Sequence, residues 1–226
     1  MTAFSSATTA DEEEASATRT RLLDVAEQLF AQRGIDATSL RAITAAAGAN
    51  LASVNYHFGS KDALFREVVA RRIGPVNAER LRLLDETQRK ANGNPSLESV
   101  LSAFLAPALH LQSQRPQEGK NTMHLMGRLY SDPRADELKK LLYGEFKEVF
   151  QRFTPALKRA APDLEHDEII WRFFFVVGAM AHLMSAGDVL DHASNGLCNL
   201  EDVEANLSRL VAFSAAGFRA PNSRPI

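Results

Sequence analysis

The chain has 226 residues, 45% of them hydrophobic and 24% charged, with a formal net charge of −2. That is ordinary globular composition, long enough for one large domain or two small ones, and the charge argues against a protein that coats nucleic acid. No uninterrupted run of about 20 apolar residues suggests a membrane span, and the single cysteine, Cys198, excludes an internal disulfide, as suits a reducing cytoplasm.

Residues 1–17 are small, polar and acidic, without apolar periodicity, and predict a disordered acidic arm. They lack the basic segment and apolar core of a secretory signal. Everything after them reads as helix, because alternating β-branched runs with tight glycine turns are missing. The first helix is predicted from about Thr18 to Gln32, with Leu22, Val25, Ala26, Leu29 and Phe30 on one face and Gly34 as its stop. A second begins near Ser39 with Thr38 as N-cap, buries Leu40, Ile43 and Ala47, and ends at Gly48. A short third helix follows the cap Asn50 and turns Val54 and Phe58 inward. A fourth starts at Ser60-Lys61-Asp62 and carries Leu64, Phe65, Val68 and Val69.

Gly74-Pro75 predicts a break or kink, since proline removes a backbone donor and clashes with the preceding turn. A domain hinge is placed there, giving a domain over 18–72 and another over 73–226. The next helix runs from Val76 to about Lys90. Asn92-Gly93-Asn94-Pro95 predicts a turn, with Asn94 capping a helix that reaches about Gln112 and kinks at Pro107. Further helices are expected over 119–131, 133–160 with a kink at Pro155, 165–190 and 200–218.

Charge is unevenly placed. Residues 1–17 hold four acids and no base, residues 18–72 hold eight Lys/Arg against five Asp/Glu, and the remainder is nearly balanced. The only basic section therefore coincides with the short helices around Gly48, whose helix-turn-helix pattern is a device for seating one helix in the major groove of DNA. The outer side of the third helix offers Leu51, Ala52, Ser53, Asn55 and Tyr56. Asparagine reads adenine with two hydrogen bonds, serine bonds several bases, and alanine or leucine touches a thymine methyl. Lys61, at a helix N-terminus, and Thr38 and Ser39, at another, are placed for phosphates. Arg41 is placed for a phosphate or a base.

Residues 19–70 resemble the DNA-binding domain of the TetR family of bacterial repressors. The likeness lies in LDVAEQLFAQRG, in TSLRAITAAAGAN through the turn, and in VNYHF, GSK and DAL across helices three and four. It implies that His57 and Lys61 contact phosphates and that Asn50 opens the DNA-reading helix. The chain departs from the family's pattern at Asn55, where tyrosine is usual; Tyr56 follows, so which of the two meets bases and which a phosphate stays open. NLASVNYHFGSK also resembles a subgroup that includes fatty-acid-responsive regulators.

The resemblance implies an all-α architecture, with a C-terminal domain that encloses a ligand pocket and pairs through its last two long helices. The pocket candidates are Phe104, Leu105, Leu109, Met123, Met126, Tyr130, Phe146, Phe150 and Phe174, with His124, Arg128 and His182 as polar members. Arg128 could anchor a carboxylate or phosphate, or pair with Asp132. The interface candidates are Phe173, Val177, Ala181 and Met184 on one helix and Leu207, Leu210, Val211, Ser214 and Phe218 on the other. The same residues could be plain core.

Enzyme chemistry finds no support. The six histidines show no HxxxH or His/Cys ligand spacing, and no GxSxG, Walker or GxGxxG motif is present. No catalytic residue, metal or cofactor is expected. The expected protein is a cytoplasmic homodimeric repressor with no membrane partner, released from a palindromic double-stranded operator by a small apolar or amphipathic effector. The alternative is an all-α small-molecule-binding protein or enzyme on the same scaffold without operator binding.

Overall fold

The computed structural model describes residues 5–114, 122, 135–185, 187–198 and 201–222, and among them every regular element is helical. In chain order these are α1 (Ser5–Ala37), α2 (Leu40–Ala47), α3 (Leu51–Phe58), α4 (Lys61–Lys90), α5 (Leu97–Gln114), α6 (Ala135–Ala160), α7 (His166–Ser185), α8 (Gly187–Ala193) and α9 (Val203–Arg219). The predicted helix over 119–131 lies outside the described residues, apart from Thr122.

The described chain forms two compact units, the first running to Arg72 and the second beginning at Ile73; residues 135–138 group with the first. In the first, α1 packs on α2 and α3, and α2 packs on α3. Its core holds Leu22, Ala26, Phe30, Ile43, Val54, Leu64, Phe65, Val68 and Val69. The Phe30 and Phe65 rings meet edge to face at 5.2 Å. One buried carboxylate is also built in: Glu27, 3% exposed, accepts from Arg71 at 2.8 Å and from Arg72 at 2.7 Å. Arg71 also donates to Asp24 at 2.8 Å. A charge removed from water is tolerated only with such partners.

Several sequence expectations are corrected. Helix α1 already begins at Ser5, where a disordered arm is predicted; alanine and glutamate are strong helix formers, and the attached helix supplies the nucleus. The backbone does leave helical geometry at Gly34 (φ 81°, ψ 168°). Helix α4 continues through Pro75, so the chain does not break there, and α5 and α6 likewise continue through Pro107 and Pro155, where kinks and not breaks are predicted. Val68, Val69, Ile73 and Leu84, on either side of Pro75, are buried. Ser96, not Asn94, caps α5, its hydroxyl accepting from Ser99 N–H at 3.2 Å. The single helix predicted over 165–190 is described as α7 and α8, helical on both sides of residue 186, which lies outside the described residues.

In the second unit α9 packs on α5 and α7, and α5 packs on α7. By length and mean hydropathy (1.3), α7 could cross a membrane, contrary to the expectation from unbroken apolar runs. Its Ile169, Phe173, Val176, Met180 and Met184 are instead buried in the unit's core. The same helix buries Arg172, which pairs with Glu168 at 2.9 Å. Arg172 also donates to the carbonyls of Gly217, Phe218, Ala220 and Pro221 at 2.7–3.1 Å. Gly217 and Phe218 belong to the last turn of α9, and Ala220 and Pro221 follow it, so one guanidinium gathers the carbonyls at that helix end and meets the negative end of its dipole.

Replacing Arg172 by methionine leaves Glu168 and four carbonyls without their cation. The expected loss is about 3 kcal/mol of unfolding free energy, seen by calorimetry as a Tm several degrees lower. An unchanged Tm would contradict the role given to Arg172.

Candidate nucleic-acid interface

Helix α2 starts at Ser39, whose hydroxyl accepts from Ala42 N–H at 3.1 Å. Thr38 is therefore not the cap. It is fully buried, and its hydroxyl donates to the Gly34 carbonyl at 2.7 Å, so its side chain is not presented to a phosphate. Gly48 ends α2 in the left-handed region (φ 61°, ψ 36°), a conformation that side-chain-bearing residues rarely adopt. Asn50 then caps α3, its Oδ1 accepting from Ser53 N–H at 2.8 Å and from the Ser53 hydroxyl at 3.0 Å. Val54 and Phe58 turn inward, and Gly59 closes the helix at φ 76°. This is a helix-turn-helix in which each change of direction has a local cause.

What α3 leaves outside is a surface of mixed chemistry. Leu51, Ala52, Asn55 and Tyr56 are exposed, Tyr56 at 82%, while Ser53 and His57 are half-buried. The Tyr56 and His57 rings pack edge to face at 4.9 Å. Arg41 on α2 is exposed as well. Donors, acceptors, apolar contacts and a positive charge are thus displayed around one short helix, the requirement for reading base edges. Glu14, Ala15 and Thr18 of α1 border the same face, lining a shallow depression of about 400 Å³ with Asn50, Ala52, Ser53, Tyr56 and His57. An acidic residue beside this face is a feature the sequence expectation of a detached arm does not contain.

Lys61 has a different setting from the one predicted. Its ammonium donates to the carbonyls of Ile35 at 2.9 Å and Thr38 at 3.2 Å, tying the start of α4 to the link between α1 and α2. Its spacing in the sequence reveals the position but not this long-range tie.

The second unit redistributes the remaining candidates. Phe104, Leu105 and Leu109 are buried, and Phe146 and Phe150 are half-buried. Phe174 is 53% exposed, and His182, also exposed, lines an open cavity of about 660 Å³ with Ala179, Leu183, Leu190, Leu210 and Phe213. Met123, His124, Met126, Arg128 and Tyr130 lie outside the described residues. Of the interface candidates, Phe173, Met184, Leu207, Leu210, Ser214 and Phe218 are core, while Val177, Ala181 and Val211 are half-buried. Apolar spacing identifies the two helices but selects their inward face. The outward face carries Trp171, Phe174 and Phe175 on α7 and Phe213 on α9, all more than half exposed. Missed as well is Arg80, a cation 2% exposed, which has no sequence signature. Among the described residues, no group of three His, Cys, Asp or Glu could hold a metal ion.

Comparison with known proteins agrees with both units. The sequence model for bacterial regulatory proteins of the tetR family matches residues 22–68. The model for the tetracyclin repressor-like C-terminal domain matches residues 102–217. The chain is 39% identical over 97 residues to the HTH-type transcriptional regulator AcrR of Shigella flexneri, a match covering 43% of this chain and 42% of that protein. It is 47% identical over 51 residues to the HTH-type transcriptional repressor KstR2 of Rhodococcus jostii (strain RHA1), covering 23% and 25%. The matches thus span less than half the length of these curated relatives. The fatty acid degradation regulator FadR of Bacillus halodurans has the same fold, with a TM-score of 0.61 at 13% identity over 90% of this chain and 97% of that one. A TetR family transcription regulator from Marinobacter aquaeolei VT8 does too, with a TM-score of 0.61 at 13% identity over 91% and 97%. With the helix-turn-helix in place and the C-terminal model matched over about half of its length, the chain belongs to the TetR family of bacterial regulatory proteins.

Proposed function

We propose that this protein is a homodimeric transcriptional repressor that binds a near-palindromic operator and is released by a small apolar or amphipathic effector. It acts in the cytoplasm as a regulator and not as an enzyme. The observation that carries the reading is the outward face of α3. Tyr56, Asn55, Ala52 and Leu51 stand exposed on a helix held by a glycine turn and an asparagine cap. Such a face supports base contacts by Asn55 and Tyr56 and flanking phosphate contacts by His57, Arg41 and Ser39.

Two copies are needed to read two half-sites. Trp171, Phe174, Gly178 and His182 recur along α7 with Phe175 beside them, and Phe213 stands on α9. The Trp171 and Phe175 rings stack at 6.1 Å. Such an exposed aromatic surface favours a partner, and a second copy meeting it across a two-fold axis buries the same residues twice. The effector acts in the second unit by favouring a conformation that does not fit the operator; without such a preference no release follows.

Fluorescence anisotropy with DNA from the protein's own promoter region tests operator binding. Tyr56→Ala and Asn55→Ala are each expected to weaken binding roughly tenfold or more, the value of one good base contact. Full affinity in both variants removes α3 from the interface. Lys61→Met is expected to lower Tm and weaken binding while leaving the slope of log K against log salt near wild type, because the ammonium is held by Ile35 and Thr38. A slope reduced by about one with unchanged Tm would make Lys61 a phosphate contact instead.

Phe175→Glu places a charge in the proposed dimer surface. Light scattering is expected to show a folded monomer, with operator affinity reduced at least tenfold. A stable dimer would move the interface elsewhere.

A further inference from the structure

Three charged residues are buried among those described: Glu27, Arg80 and Arg172. Glu27 lies between two arginines and Arg172 pairs with Glu168. Arg80 alone has no opposite charge among the described residues. Its Nε donates to the Phe104 carbonyl at 2.8 Å and one terminal nitrogen donates to Asn77 Oδ1 at 2.9 Å. The other terminal nitrogen has only the Met180 sulfur, at 3.6 Å. A guanidinium carries five N–H groups, so among the described residues one on each terminal nitrogen has no acceptor, and a thioether is a weak one. The cation lies 4.2 Å from the centre of the Phe104 ring and 5.9 Å from that of Phe146. Phe146 in turn lies 6.5 Å from Phe150, and both are half-buried on α6.

A buried cation of this kind is costly, because ring faces and neutral oxygens replace only part of its hydration. Its partners also come from four elements: α4 supplies Arg80 and Asn77, α5 the Phe104 carbonyl, α6 Phe146, and α7 Met180. We propose that Arg80 anchors the carboxylate of a monoanionic effector whose apolar body lies along Phe146 and Phe150. The inference rests on the reading of the second unit as effector-binding and supplies the chemical class of that effector.

One N–H left on each terminal nitrogen gives the number of donors that the two oxygens of a carboxylate take. Met180, unbranched and adaptable, is the neighbour most easily displaced. The single charge selects a monoanion: a phosphomonoester carries about −1.5 to −2 at neutral pH and would leave uncompensated negative charge buried. Burial pushes Arg80 down to about 9, so the guanidinium is still protonated at neutral pH. Arg80 also lies on α4, which contributes residues to both units, so an effector that moves its anchor acts on a helix that begins in the reading head.

The test uses the full-length protein and two acids of different shape, dodecanoate and 3-phenylpropanoate, each beside its primary alcohol, in isothermal titration and thermal-shift measurements. At least one acid is expected to bind ten times more tightly than its alcohol, or better, and to raise Tm. In Arg80→Lys, where the guanidinium is lost and the charge kept, that acid-over-alcohol preference should fall at least fivefold. In Arg80→Gln it should disappear. The wild-type comparison stands even if a variant fails to fold. Equal binding of acid and alcohol, no binding of either acid, or an unchanged preference in a folded Arg80→Gln overturns the proposal. Operator binding by the ligand-free protein is measured separately. Its absence would overturn the repressor reading without touching acid binding, and acid binding without operator release would separate the two in the same way.

Discussion

Helix α3 is eight residues long, and isolated helices below about 12 residues are marginal in water. Its shape must therefore come from what surrounds it. Gly48 turns the chain, Asn50 accepts from the free Ser53 N–H, Val54 and Phe58 dock on the core, and Gly59 closes the end. The frame behind it is fastened at longer range. Lys61 ties α4 to the link after α1, while Glu27 draws Arg71 and Arg72 onto α1. With its inner residues so engaged, the helix is free to carry an outer face with no structural duty.

That division explains how a chain of net charge −2 can be built for DNA. Phosphate attraction supplies affinity at the cost of salt sensitivity, whereas base-edge contacts supply choice. A modest basic surplus confined to residues 18–72 suits a small reading head attached to a neutral unit. Glu14 beside α3 trims that surplus further. The second unit solves a different problem. It buries one face of α7 and α9 as core and leaves the other rich in aromatic side chains, a surface suited to a second copy.

The first unit was largely legible in the sequence because its determinants are local. A glycine in the left-handed region, an asparagine cap and apolar spacing of three and four each leave a mark within a few residues. Lys61 was visible as a position, but its carbonyl partners come from residues far back in the chain and carry no side-chain signature. The second unit was legible as helices and no further. Phe173 and Phe174 are adjacent and chemically alike, yet one is core and the other surface; periodicity gives the angle between them and not which one faces inward. Arg80 was invisible for the same reason, since an arginine on a charged helix reads as solvated until the packing of α5, α6 and α7 encloses it.

The central claim is that the outer face of α3, and not the second unit, meets DNA. Hydrogen exchange of the full-length protein, with and without promoter DNA carrying its operator, tests this directly. The account predicts slower exchange over residues 50–59 and at the start of α2 when DNA is bound. Unchanged exchange there, with protection confined to residues beyond 73, would contradict it.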